Sequence, residues 1–149
     1  MIRDFEERDR DEFLEMITRF YDSEAVTHSA RPGVHEATFE AALSDSPYVR
    51  GLMLIDGQNA VGFGLLSFTF ATEIGGMEVL IEDLFIDGSA RGKGLGTAFF
   101  EFVQQEYPAA LRYRLEVTAS NTKAQDLYTR LGFEVLPYVQ MVKDLNLDD

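Results

Sequence analysis

The run Arg91-Gly92-Lys93-Gly94-Leu95-Gly96 has the residue types and the spacing to hold a phosphate. It lies between a strand-like segment and a helical one. At such a junction the first helix amides lack an intrahelical acceptor, and the helix dipole favours an anion. Glycines matter there because a Cβ would hold the phosphate away from those amides. Arg91 and Lys93 bring positive charge to a chain whose formal net charge is −13. A second chemical candidate lies upstream. Glu82 is a carboxylate within the otherwise apolar stretch Val79-Leu80-Ile81-Glu82-Asp83-Leu84-Phe85-Ile86. Desolvation in such a strand raises a carboxyl pKa towards neutrality, which suits a general base. In a regular strand Asp83 points to the opposite face, so only one of the two meets a reacting group, and Glu82 is the choice. Glu116 and Glu78 are weaker candidates. Tyr128 shares a helix face with Ala124 and Leu131, and its residue context alone reads as a core aromatic.

Other phosphate motifs fit less well. A Walker A loop ends in Gly-Lys-Ser/Thr after four spacer residues, and that pattern is absent. A dinucleotide fingerprint requires Gly-x-Gly-x-x-Gly. Here Gly92 and Gly94 begin it, but Thr97 stands where the third glycine belongs and Gly96 comes one residue early. Glu116 does stand about twenty residues on, where that motif wants an acid. A nicotinamide-dependent oxidoreductase is therefore kept as a distant alternative.

Composition narrows the classes further. The 149 residues, 46% of them hydrophobic, suit one domain spanning 1–149. The strong negative charge repels nucleic-acid backbones and attracts cations, amines among them. No apolar run approaches the ~20 residues of a membrane helix, and Met1 to Glu7 does not read as a signal peptide. The expected compartment is the cytoplasm. With no cysteine, thiolate catalysis and disulfides are excluded. No convergent ligand set suggests a metal. The two histidines, His28 and His35, read as surface residues of the N-terminal segment.

These groups need elements to position them. Ile2 to Phe5 reads as a strand, and Arg8 to Tyr21 as a helix with Phe13, Met16, Ile17, Phe20 and Tyr21 at helical spacing. A second helix is expected over His35 to Ser44. Strands follow at Arg50 to Ile55 and Ala60 to Phe70, joined by the hairpin signal Asp56-Gly57. Met77 to Ile86 reads as a central strand, apolar on both faces. Gly94 to Tyr107 and Thr122 to Leu131 read as helices flanking a strand at Leu111 to Val117, with Gly132 as a left-handed cap. Phe133 to Leu136 and Val139 to Lys143 read as closing strands, which offer a surface for a homodimer. The tail Asn146 to Asp149 is expected to fray.

Taken together, Arg91-x-x-Gly94-x-Gly96 resembles the pyrophosphate signature of the GCN5-related N-acetyltransferase (GNAT) superfamily. Ile81-Glu82-Asp83-Leu84-Phe85-Ile86 is similar to that family's central strand. Glu116 to Asn121, Ala124, Leu127-Tyr128 and Leu131-Gly132-Phe133 are similar to its second cofactor segment. The resemblance implies an α/β (α+β) fold: a mixed, mostly antiparallel sheet of about six or seven strands with helices on both faces. It implies acetyl-CoA as co-substrate and no metal. Backbone groups of the Leu84, Phe85 and Ile86 stretch would take the pantetheine arm. The loop from Arg91 through Gly92, Lys93, Gly94, Leu95 and Gly96 to Thr97 would take the pyrophosphate. Asn121, Ala124 and Tyr128 would meet the cofactor, with Tyr128 near the sulfur as general acid. Glu82 would serve as base for a primary amine, small-molecule or peptide, with the acidity leaning towards a cationic small molecule. The alternative within the same fold is a sensor that binds acyl-CoA without catalysis.

Overall fold

The computed structural model describes residues 1–145; the tail from Asn146 lies outside the described residues. Five strands form one sheet in the order β1-β2-β3-β4-β5. They are β1 (Ile2–Asp4), β2 (Val49–Asp56), β3 (Asn59–Ala71), β4 (Gly76–Ile86) and β5 (Arg112–Leu115). The first four run antiparallel to their neighbours, and β5 joins β4 in parallel. The helices are α1 (Arg10–Tyr21), α2 (Val34–Leu43), α3 (Leu95–Glu106) and α4 (Thr122–Arg130).

The sheet is apolar on both faces because helices cover both. On one face α1 and α2 bury Phe13, Met16, Ile17 and Phe39 against Phe5, Met53, Phe63, Leu65 and Phe85. On the other, α3 and α4 cover Leu52, Leu54, Leu66, Val79 and Ile81 with Phe99, Phe100 and Val103. Burying a side chain of this size contributes roughly 1.5–3 kcal/mol. Gly64 of β3 lies under Phe99, and a Cβ there would stand 2.2 Å from the ring.

Two expectations need correction. The sheet has five strands, fewer than the six or seven implied, because Phe133–Leu136 and Val139–Lys143 are not strands. Phe133 still packs on Phe100 and Tyr128. Beyond it Val135, Val139 and Met141 are 94%, 91% and 92% exposed. Pro137 has no N–H to give a ladder, and it leaves only short runs on either side. Apolar alternation in this segment marks a strand-like pattern with no strand beside it to complete the pairing.

The second correction concerns β4. Leu65 pairs with Asp83 while Leu66 pairs with Ile81, so Glu82 is the extra residue of a β-bulge. The bulge shifts the side-chain alternation by one. Val79 and Ile81 face α3, yet Phe85 faces α1 and α2, and Leu84 and Ile86 face α3 again. Asp83 therefore takes the α1 side, where a regular strand would have put Glu82.

Candidate active site

Parallel pairing of β4 with β5 ends at Ile81 and Leu115. Beyond that point β4 runs on to Ile86 and β5 stops. Side chains and backbone of the two diverging chains bound a hollow of about 410 Å³. Its walls include Phe20 and Tyr21 from the end of α1, Ala25, Val26 and Thr27 from the following loop, Glu82, Asp83 and Leu84 from β4, and Thr118, Asn121 and Tyr128 beyond β5. A larger hollow of about 950 Å³ lies along β5 and α4, bounded also by residues 133–136. It holds fewer convergent carboxylates, so the smaller cleft carries the chemistry. Tyr128 lines both.

The bulge brings both carboxylates to the same cleft. Glu82 is exposed and accepts a hydrogen bond from Ser67 Oγ at 2.7 Å. Asp83 is half-buried, and burial pushes its carboxyl up to about 6, with the neighbouring Glu82 charge adding to the shift. The expectation that only one of the pair can face a substrate rested on a regular strand and does not hold. Tyr21 also titrates above its ordinary range, first from burial and then from the charges of Asp83 and Glu82. Tyr128 is packed edge-on against Phe100 and Phe133 at 5.8 and 6.0 Å between ring centroids. Burial raises its pKa, so the phenol keeps its proton at neutral pH. Glu116 lies on the cleft rim. Glu78 is remote from it, 4% exposed and salt-bridged to Arg112 and Arg114.

The glycine loop follows the end of β4 and opens α3. Gly92 and Gly94 have φ of 78° and 76°, backbone that favours glycine, and a Cβ on either would meet nothing within 4 Å. Gly94 is the N-cap of α3, and no side chain caps it. The first-turn amides of Leu95, Gly96 and Thr97 thus have no side-chain cap, and the space beside Gly92 and Gly94 is open, an arrangement that suits an anion. Gly96 also has a packing role. Its Cβ would come within 3.2 Å of Leu127, so this glycine lets α3 lie close to α4. The cations are held by the protein itself: Arg91 Nε donates to the Ile86 carbonyl at 3.0 Å, and Lys93 pairs with Asp56 at 3.3 Å. Leu84 and Ile86 pack towards α3, whereas the Phe85 side chain stacks on Phe63 in the opposite core. Phe85 is also the ladder partner of Phe63 in β3, so its side chain and its pairing both turn it away from the cleft. Asn121 Oδ1 accepts from the Ala124 amide at 3.3 Å, capping α4 at the cleft wall.

Sequence reasoning passed over residues 25–27. None belongs to a recurring motif, and only the fold brings them to Asp83. His35 stands edge-on to Tyr21 at 4.7 Å, one step behind the wall. His28 does not line the cleft. Among the described residues no group of three or more His, Cys, Asp or Glu is arranged to hold a metal ion. No helix among them is long and apolar enough to cross a membrane.

Comparison with known proteins gives a consistent picture. The profile of the Acetyltransferase (GNAT) family matches residues 10–133. Thialysine N-epsilon-acetyltransferase of Mus musculus is 28% identical over 145 residues, covering 91% of this chain and 84% of that protein. The Sus scrofa protein of the same name is 27% identical over 142 residues, covering 89% and 82%. Among solved structures, a possible acetyltransferase from Clostridium difficile 630 superposes with a TM-score of 0.81 at 17% identity, over 97% of each chain. AAC(6')-Iy, solved with the bisubstrate analog CoA-S-monomethyl-acetylneamine, superposes with a TM-score of 0.79 at 17% identity, over 97% of each chain. These two likenesses concern the fold.

Proposed function

The chain belongs to the GNAT acetyltransferase family, and we propose that it moves an acetyl group from acetyl-CoA to a primary amine of a small cationic acceptor. One observation carries the choice of acceptor: the β4 bulge that turns Glu82 and Asp83 into a single cleft with Tyr128. The curated relatives named for thialysine, an amino acid with a side-chain amine, support the same class. So does the chain's net charge of −13.

An amine with an ordinary pKa near 10.4 is mostly protonated at neutral pH, and freeing it costs roughly 4–5 kcal/mol. Asp83, with a carboxyl near 6, is the closer match to a base working near neutrality. Glu82 holds the ammonium group in place and shares the proton through water. The freed nitrogen attacks the thioester carbonyl carbon, a C–N bond forms and the C–S bond breaks. The nitrogen gives up two protons overall. One leaves through the carboxylate pair to water, and the other is matched by the proton that Tyr128 gives to the departing sulfur. Amide N–H groups of β4 near Leu84 are suitably placed to polarise the carbonyl oxygen. The amides of Leu95, Gly96 and Thr97 hold the pyrophosphate, and Asn121 and Ala124 border the pantetheine end. No covalent intermediate on the protein is required.

The test is thiol release from acetyl-CoA against a panel of amines that includes thialysine, spermidine and an aminoglycoside. Release is expected with one cationic class, and Tyr128→Phe is expected to cut the turnover rate by about 10²-fold or more with acetyl-CoA affinity kept. Tight acetyl-CoA binding without release on any amine would turn the reading towards a non-catalytic acyl-CoA sensor.

A further inference from the structure

The acceptor side of the cleft is closed by a strap rather than by an element. Between the end of α1 and Gly33, which caps α2, the chain crosses the mouth of the cleft and presents Ala25, Val26 and Thr27 to it. At its start the strap is tied to α1, where Ser23 Oγ donates to the Phe20 carbonyl at 2.6 Å and the Ala25 amide donates back to Ser23 Oγ at 3.2 Å. Across the cleft, Thr118 Oγ1 donates to the Glu24 carbonyl at 3.0 Å, a contact spanning 94 residues of sequence. The residue that reaches over is itself fixed. Gln125 of α4 donates through Nε2 to the Thr118 and Ala119 carbonyls at 2.9 and 3.0 Å.

We propose that Thr118 is a specificity-determining positioning residue: its hydroxyl clasps the strap at Glu24 and so sets how residues 25–27 wall the acceptor side of the cleft. The geometry favours this over a surface ornament. The donor stands on a loop pinned to α4, and the acceptor is a main-chain carbonyl next to the lining residues. A single shared proton therefore links the wall beyond β5 to the wall beyond α1. The clasp joins residues 24 and 118, and the glycine loop is a separate segment that follows the end of β4 and opens α3. The clasp's consequences fall on the acceptor and spare the co-substrate. The inference rests on the proposed reading that the amine enters this cleft.

Thr118→Val removes the donor and keeps the volume, and Thr118→Ser keeps the donor. Two measurements on the full chain separate the outcomes. Hydrogen exchange of amides 24–28, without any ligand, is expected to speed up about fivefold in the valine variant and to return in the serine variant, the size of one neutral hydrogen bond. Steady-state kinetics with thialysine or spermidine are expected to show an amine KM raised about fivefold, an acetyl-CoA KM within twofold of wild type, and rescue by serine. Unchanged exchange would overturn the clasp. Faster exchange with both KM values moved equally would overturn its role in acceptor choice. If wild type turns over neither amine while exchange responds as expected, the proposed acceptor fails and the specificity role falls with it, leaving the clasp as a structural tie.

Discussion

The Arg91–Thr97 turn and the Glu82 bulge both interrupt regular structure beside the cleft, but they expose different groups. The turn presents backbone: Gly92 and Gly94 take left-handed φ values and leave first-turn amides of α3 facing open space. Its two cations are already engaged, Arg91 with a carbonyl and Lys93 with Asp56. The bulge presents side chains: it sets Glu82 and Asp83 into one cleft, where burial and then the Glu82 charge raise the Asp83 carboxyl. On the proposed function, one region recognises an anion through geometry that any residue able to adopt it could supply. The other recognises a cation through two particular carboxylates. Substitutions should therefore act by conformation in the first and by charge in the second.

The largest effect expected from this contrast is at Asp83. Asp83→Asn keeps the shape and removes the base, and the rate with the best amine should fall by about 10²–10⁴-fold. Glu82→Gln should mainly raise the amine KM. A reversal of these two results would reassign the roles within the pair. The same residue has a signature in stability. A carboxyl near 6 in the folded chain, against an ordinary value of 3.8, binds its proton more tightly when folded. Its contribution is present below about pH 4 and is lost as pH rises through 6. Asp83→Asn should therefore gain on wild type between pH 4 and 7, by roughly 1–2 kcal/mol after allowance for the open side of the cleft. Paired denaturant melts at the two pH values check it. A difference that stays constant with pH would show that Asp83 titrates normally.

A smaller effect is expected at the turn. Gly94→Val forces a β-branched residue into φ 76°, at a cost of roughly 1–3 kcal/mol. Acetyl-CoA affinity by calorimetry should drop about tenfold to a hundredfold, with amine binding kept. An equal loss of amine binding would mean that the two regions are not separable and that the turn also shapes the bulge.

The same contrast governs what could be read in the chain before its structure. The turn was legible because its conformation demands glycine, and glycine is visible at 92 and 94. The motif drew attention to Tyr128 and Asn121, which both line the cleft, and the helices were legible through the spacing of Phe13, Met16 and Ile17. The bulge had no such marker. Glu82 carries no conformational signature, and a plain alternation count placed Asp83 on the wrong face. At Gly96 the residue type carried only part of the answer: the closeness of Leu127 adds a packing reason for glycine that the loop pattern did not announce. The closing strands failed for a third reason. Val135, Val139 and Met141 alternate as a strand would, but pairing is a property of two segments, and Pro137 leaves only short runs on either side of it. Thr118 and Glu24 stand 94 residues apart, and nothing local links them.

The smallest expected effect is the one that best separates geometry from charge at the turn. Lys93 and Asp56 pair at 3.3 Å with side chains 56% and 51% exposed, so the ion pair contributes well under about 1 kcal/mol. Asp56→Ala frees the lysine for an incoming anion without changing the backbone of residues 91–97. If first-turn amides provide most of the pyrophosphate binding, acetyl-CoA affinity should tighten by no more than about threefold, and the gain should vanish in high salt. A tenfold gain would mean that the lysine charge, held back by Asp56, is the dominant contact. The loop would then recognise its anion by side-chain charge, as the bulge recognises its cation, and the contrast between the two regions would disappear.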